Sequence, residues 1–172
     1  MTLGVPPLLL LAVFPAGVIV AALKDATSFT IPNWISAGLG LAFFPMAALA
    51  HLSLGATGVS LVAALIALAC GIGMFAAGWC GGGDAKLLAA SALWLGWPGL
   101  LPFLAVTGLA GGALSLGLIA ARQNLAGYAS RGPAWLGRLL SPDGDLPYGL
   151  AIAAGALFAF PSSALVAQLG AA

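Results

Sequence analysis

The chain has 172 residues, 62% of them hydrophobic and 5% charged, with a formal net charge of +1 at pH 7. A water-soluble domain carries about a quarter charged residues, so a mean hydropathy of +1.15 excludes an ordinary soluble globule and makes the bilayer the solvent. Five Lys and Arg stand against four Asp and no Glu, which leaves no basic field for nucleic acid.

Runs free of charged residues give six candidate spans, because a helix crossing the bilayer needs about 20 apolar residues. The first covers residues 4–23 and ends at Lys24-Asp25. The first 23 residues hold no Lys or Arg, so this segment reads as a retained helix and not as a secretory signal. A polar link, residues 26–30, precedes Ile31-Pro32-Asn33, whose proline suits the first turn of a second helix reaching about His51. A turn at residues 52–57 leads into a third helix, residues 58–79.

The densest chemistry in the chain follows: Trp79-Cys80-Gly81-Gly82-Gly83-Asp84-Ala85-Lys86. The fourth segment, residues 85–97, ends at the breaker Pro98-Gly99; its 13 residues make about 20 Å of helix, short of a core of about 30 Å. With Trp94 and Trp97 in the outer aromatic belt, Asp84 would be recessed within the membrane depth, where irregular backbone must line a wet or buried pocket. A fifth helix, residues 99–121, offers Gly108, Gly111, Gly112, Ser115 and Gly117 as small packing surfaces.

A polar loop covers residues 122–147, and within it Tyr128 to Leu140 mixes Trp and Leu with Arg131 and Arg138, suited to the membrane surface, although Pro133 opposes one long helix. Ser141-Pro142-Asp143-Gly144-Asp145 has turn chemistry, its acids being solvated turn formers. A sixth helix, residues 148–169, should kink at Pro161. The fold class expected is all-α: a polytopic membrane protein of about six helices forming one domain, residues 1–172. With the N-terminus outside, Lys24, Lys86, Arg122, Arg131 and Arg138 all fall on the cytoplasmic side.

That orientation puts Asp25 and Asp84 at one face. Asp84, after a glycine run and before an apolar helix, is a natural N-cap whose carboxylate would accept from first-turn N–H groups. Asp25 lies at a helix C-terminus, where the dipole disfavours negative charge, and an ion pair with Lys24 is its plain alternative. Ionisable groups near membrane depth mark pathways or catalytic sites. If the first and fourth helices pack together, the two carboxyls share one proton and can activate water, as in aspartic proteases. Ion or proton relay by a small carrier, and a non-catalytic subunit of a pilus apparatus, are the competing uses of the same two acids.

Other residues offer less. Lys86 either tunes the acids or snorkels to the interface. His51 lies far from the acids, Ser162-Ser163 lacks a base and suits helix packing, and Cys70 and Cys80 form no metal-binding pair. Gly83 is followed by Asp and not Lys, so no nucleotide loop is present.

Asp25 with Ile31-Pro32-Asn33, then Gly81-Gly82-Gly83-Asp84-Ala85-Lys86, then Pro147-Tyr148-Gly149 resemble the signature blocks of type IV prepilin peptidases, the GxGD intramembrane aspartyl proteases. The closest likeness is to the short members serving tight-adherence (Flp) pili. The resemblance implies Asp25 and Asp84 as the catalytic pair, with Pro32, Asn33, Gly81, Gly83, Lys86, Pro147, Tyr148 and Gly149 shaping the site or touching substrate. It implies a pilin precursor as substrate, cut where a short basic leader meets an apolar helix, in the bacterial inner membrane with the site toward the cytoplasm. Longer members also methylate the new N-terminus and carry paired C-x-x-C zinc ligands; this chain has only Cys70 and Cys80, so methyl transfer, metal and cofactor are not expected.

Overall fold

The computed structural model describes residues 11–125, 133–141 and 144–171, and among them every regular element is helical. In chain order these are α1 (Val13–Ser28), α2 (Asn33–Leu49), α3 (Leu54–Ala76), α4 (Gly82–Leu125), α5 (Ala134–Leu140), α6 (Gly149–Ala159), a 3-10 turn (Phe160–Ser162) and α7 (Ala164–Ala171). The start of the first segment at residue 4, the surface residues Tyr128 and Arg131, and Pro142 and Asp143 of the turn lie outside the described residues.

Three stretches, Leu54–Ala76, Gly82–Leu125 and Gly149–Gly170, are long and apolar enough to cross a membrane, and α2 is a shorter apolar helix. Their large apolar side chains face outward: Leu54, Leu101 and Leu109 are 92%, 77% and 75% exposed. A water-facing protein does not display apolar surface on this scale, so these flanks face lipid.

Several boundaries differ from the sequence reading. α1 does not stop at Lys24-Asp25 but continues to Ser28, because the polar residues behind it fold back onto the helix. Thr27 Oγ1 donates to the Leu23 carbonyl at 2.7 Å and Ser28 Oγ to that of Lys24 at 2.6 Å. Phe29, left-handed at φ 54°, ends the helix with its N–H on the Asp25 carbonyl at 2.8 Å. α3 begins at Leu54, four residues early, since Ser53 Oγ accepts the Ala56 N–H. Pro32 caps α2 and does not enter its first turn.

α4 is two helices joined at Gly96, whose φ of 62° and ψ of −168° belong to a region essentially open to glycine alone. A Cβ there would also lie 2.9 Å from Ser60 Oγ. The break comes two residues before the expected Pro98, which instead falls in the opening turn of the second arm, where its missing N–H costs little. The first arm, residues 82–95, is about 21 Å long.

Trp94 is not in an aromatic belt. It is 1% exposed, stacks on Phe14 at 5.3 Å, meets Phe43 edge-on at 6.1 Å and donates Nε1–H to the Leu39 carbonyl at 2.8 Å. That donor bond lets an indole sit in the core; Trp97, by contrast, is exposed. Of the glycines expected to pack helices, only Gly111 does so; added Cβ atoms at Gly108, Gly112 and Gly117 would meet nothing within 4 Å. The second arm therefore turns those residues outward. The last helix does break at Pro161, and the two serines serve that break and not helix packing: Ser162 Oγ donates to the Ala159 carbonyl and Ser163 Oγ accepts from the Val166 N–H.

Candidate active site

Asp25 occupies the last turn of α1 and is 5% exposed. Its own helix offers a carboxylate no donor at that end, and the compensation comes from elsewhere. Asp25 Oδ2 accepts the backbone N–H of Gly149, the first residue of α6, at 2.7 Å across 124 positions of sequence. The positive end of α6 thus faces the acid that the negative end of α1 disfavours.

Pro147-Tyr148-Gly149 delivers that donor. Pro147 is buried, and the Tyr148 ring rests on Gly111, where a Cβ would come within 2.6 Å of it. Gly149 itself has no room for a side chain, since its Cβ would lie 2.9 Å from Asp25 Oδ2. α6 packs on both α1 and α4, so the helix carrying Asp25 and the helix carrying Asp84 are joined near the acids through it. At the far end the two helices also meet directly, where Phe14 stacks on Trp94.

That stack levels the two acids. Asp25 lies eleven residues beyond Phe14 on α1, and Asp84 ten residues before Trp94 on α4, so rises of about 16 and 15 Å bring the carboxyls to one height in antiparallel helices.

Asp84 is not the cap the sequence suggested. Gly81 precedes the helix, Asp84 is its third residue, and the bond runs backward: the Gly81 N–H donates to Asp84 Oδ2 at 2.8 Å while the Gly81 carbonyl accepts the Asp84 N–H at 3.1 Å. This is the reach-back half of a capping box. Oδ1, the other carboxyl oxygen, is buried with no partner. An added Cβ at Gly83 would lie 3.0 Å from Ile31 Cβ and 3.2 Å from its carbonyl oxygen, so the missing side chain lets the α1–α2 link press against the motif.

Both acids line the same two cavities. One of about 190 Å³ is walled by Phe29, Thr30, Ile31 and the three glycines; the other, about 390 Å³, is bordered by Trp79, Cys80, Asp145 and Leu146. Asp145, dismissed from sequence as a turn former, is therefore a third acid on the rim. Arg122 shapes this edge by donating to the carbonyls of Leu139, Gly144 and Asp145.

Lys86 Nζ donates to Asn33 Oδ1 at 2.8 Å on the exposed side, away from both cavities. Exposed His51 lies at the opposite end of α2 from Asn33. Cys80 lines the larger cavity, but burial, with the neighbouring Asp84 charge adding to it, pushes its thiol up from 9.0, away from a nucleophilic thiolate. Among the described residues no three His, Cys, Asp or Glu side chains gather to hold a metal ion.

An outward-facing apolar helical bundle with two buried carboxyls over common cavities is a membrane protein with an acidic pocket at one end. The profile of the Type IV leader peptidase family matches residues 12–116, more than half of the chain, and the chain belongs to that family. It is a peptidase of pilin precursors. No curated protein and no solved structure matches it significantly. The matched region contains Asp25 and Asp84 but ends before Gly149.

Proposed function

We propose that this protein is an aspartic prepilin leader peptidase of the short tight-adherence type, in which Asp25 and Asp84 together activate a water molecule. The observation that carries this reading is the convergence of two buried acids, 59 residues apart, on shared cavities large enough for water and an extended peptide. Two carboxyls so placed share a proton. One accepts a proton from the attacking water as its oxygen bonds to the scissile carbonyl carbon; the other supplies the proton that leaves with the new amine. Such a dyad titrates as a unit. No metal or organic cofactor takes part.

Gly81 and Gly149 hold the acids through their N–H groups, Gly83 admits Ile31, and Pro32, Asn33, Lys86, Pro147 and Tyr148 fix the surrounding segments. Residues 1–172 act as one domain without methyltransferase activity. The basic residues favour a bacterial inner-membrane protein with this site toward the cytoplasm.

Co-expression of a tight-adherence prepilin with wild type, Asp25→Asn and Asp84→Asn, read by gel shift, tests the chemistry: both variants should accumulate and leave the leader attached. Full processing by either sinks the dyad. In a background lacking Cys70 and Cys80, Trp79→Cys and Leu54→Cys at opposite ends of α3 should label from the cytoplasm and the outside respectively; the reverse pattern overturns the orientation.

A further inference from the structure

The cavities of about 190 and 390 Å³ have four residues in common: Asp25, Phe29, Gly81 and Asp84. Two of these are the acids, and Gly81 brings no side chain. Phe29 is therefore the one bulky apolar residue at the junction of the two spaces. Its position is costly. With φ 54° and ψ 29° it holds the left-handed turn that ends α1, a place that favours glycine because a Cβ crowds the backbone there. A bulky residue in that region is an outlier, and outliers of this kind gather at functional sites.

The ring is also held from outside α1. The Arg138 guanidinium, on α5, lies 4.9 Å from its centroid, within the range of a cation–π contact. α5 is in turn fastened to the helix that carries Asp84, since Arg122 of α4 donates to the Leu139 carbonyl and, just beyond α5, to that of Gly144. Phe29 thus closes α1 through its N–H on the Asp25 carbonyl, while its ring is gripped by a segment tied to α4. Both acid-bearing helices bear on one side chain.

An extended peptide advances about 3.3 Å per residue, so a slip of one residue presents a different bond to the carboxyls. The acids alone cannot prevent that slip, because a carboxyl meets every peptide bond alike. The smaller cavity holds roughly six waters at about 30 Å³ each, or one large side chain, and so is small enough to fix the register if its wall stands. We propose that the Phe29 ring is the register stop of the site: held by Arg138, it divides the two cavities so that one peptide bond of the bound chain reaches Asp25 and Asp84. Phe29 is then a specificity residue and Arg138 a positioning residue acting through it. The assignment rests on the peptidase reading given above and adds to it what decides which bond is cut.

The test uses the full-length protein with an intact tight-adherence prepilin, the new N-termini being read by mass spectrometry. Phe29→Ala keeps the Cβ, and with it the backbone demand, but removes the ring. Preference for the wild-type bond over its neighbours should fall at least about tenfold, the discrimination one pocket contact supplies, and products offset by a residue should appear. Phe29→Tyr should cut at one bond, as wild type does. Arg138→Gln should erode the same preference about two- to fivefold, the worth of one exposed cation–π contact, with Arg138→Lys restoring it and the double variant Phe29→Ala/Arg138→Gln no worse than Phe29→Ala alone. A merely structural role would lower the amount of enzyme or its rate and leave the cut where it was. Should Phe29→Ala fail to assemble, Arg138→Gln, at an exposed position, carries the test. Asp25→Asn and Asp84→Asn ask whether the leader is removed and these variants ask where, so failure of the dyad and failure of the register stop read out separately. A single cut at the wild-type bond in both Phe29→Ala and Arg138→Gln, loss of cleavage in both with no shift of site, or additive effects in the double variant overturns the proposal.

Discussion

Gly149 donates its backbone N–H to Asp25 at 2.7 Å, joining the first described helix to the sixth. Gly149→Ala keeps that donor but sets a methyl 2.9 Å from the accepting oxygen. Rearrangement of this kind costs about 1–3 kcal/mol. The expected result is prepilin processing slowed at least tenfold with normal protein in the membrane, measured by gel shift against an immunoblot.

The three motif glycines should differ in a fixed order. At Gly83 a Cβ meets Ile31 at 3.0 Å with backbone close behind; at Gly81 it meets the Asp84 carboxylate at 3.3 Å; at Gly82 it meets only Phe75 at 3.8 Å. Backbone cannot swing aside as a side chain can, so alanine at Gly83 should impair processing most, at Gly81 less, and at Gly82 least. Initial rates for the three variants under one promoter settle the ranking, and equal losses would refute it.

Gly111 and Gly112 are neighbours with opposite surroundings. Gly111→Ala pushes on the Tyr148 ring and should lower the detergent melting temperature through a loss of about 1–3 kcal/mol. Gly112→Ala meets nothing and gains helix propensity, so it should be neutral or mildly stabilising, by up to about 1 kcal/mol.

Trp94→Phe keeps an aromatic ring between Phe14 and Phe43 but abandons the Leu39 carbonyl. The Leu39 carbonyl keeps its helical partner, the Phe43 N–H, so the variant loses one buried hydrogen bond, about 0.5–1.5 kcal/mol. Thermal unfolding in detergent should shift down accordingly. Processing should fall only modestly, because the ring contact that sets the height of the two acids survives.

Much of this was legible in the residues. In a chain this poor in charge each acid is conspicuous, so the pairing of Asp25 with Asp84 and the blocks around them could be read directly. What stayed hidden has physical reasons. The donor to Asp25 is a backbone N–H, which every residue but proline carries, so nothing in the letter at position 149 announces it. Trp94 and Trp97 look alike because in a chain apolar on all sides periodicity does not separate core from lipid-facing positions. The glycines of α4 likewise carry no mark of which one meets a neighbour. The extension of α1 to Ser28 was missed because Thr and Ser, read as a link, satisfied themselves on carbonyls one turn back.

The Asp25–Gly149 bond also has a consequence in time. Ribosomes add about 5–20 residues per second, so the carboxylate of Asp25 enters the nascent chain on the order of ten seconds before the amide that receives it. Throughout that interval the growing polypeptide holds one acid, then both, with the Asp25 carboxylate still unsupported. Asp25 can take its observed surroundings only once Gly149 has been translated, and a chain released before that residue carries both acids without the amide that supports the first.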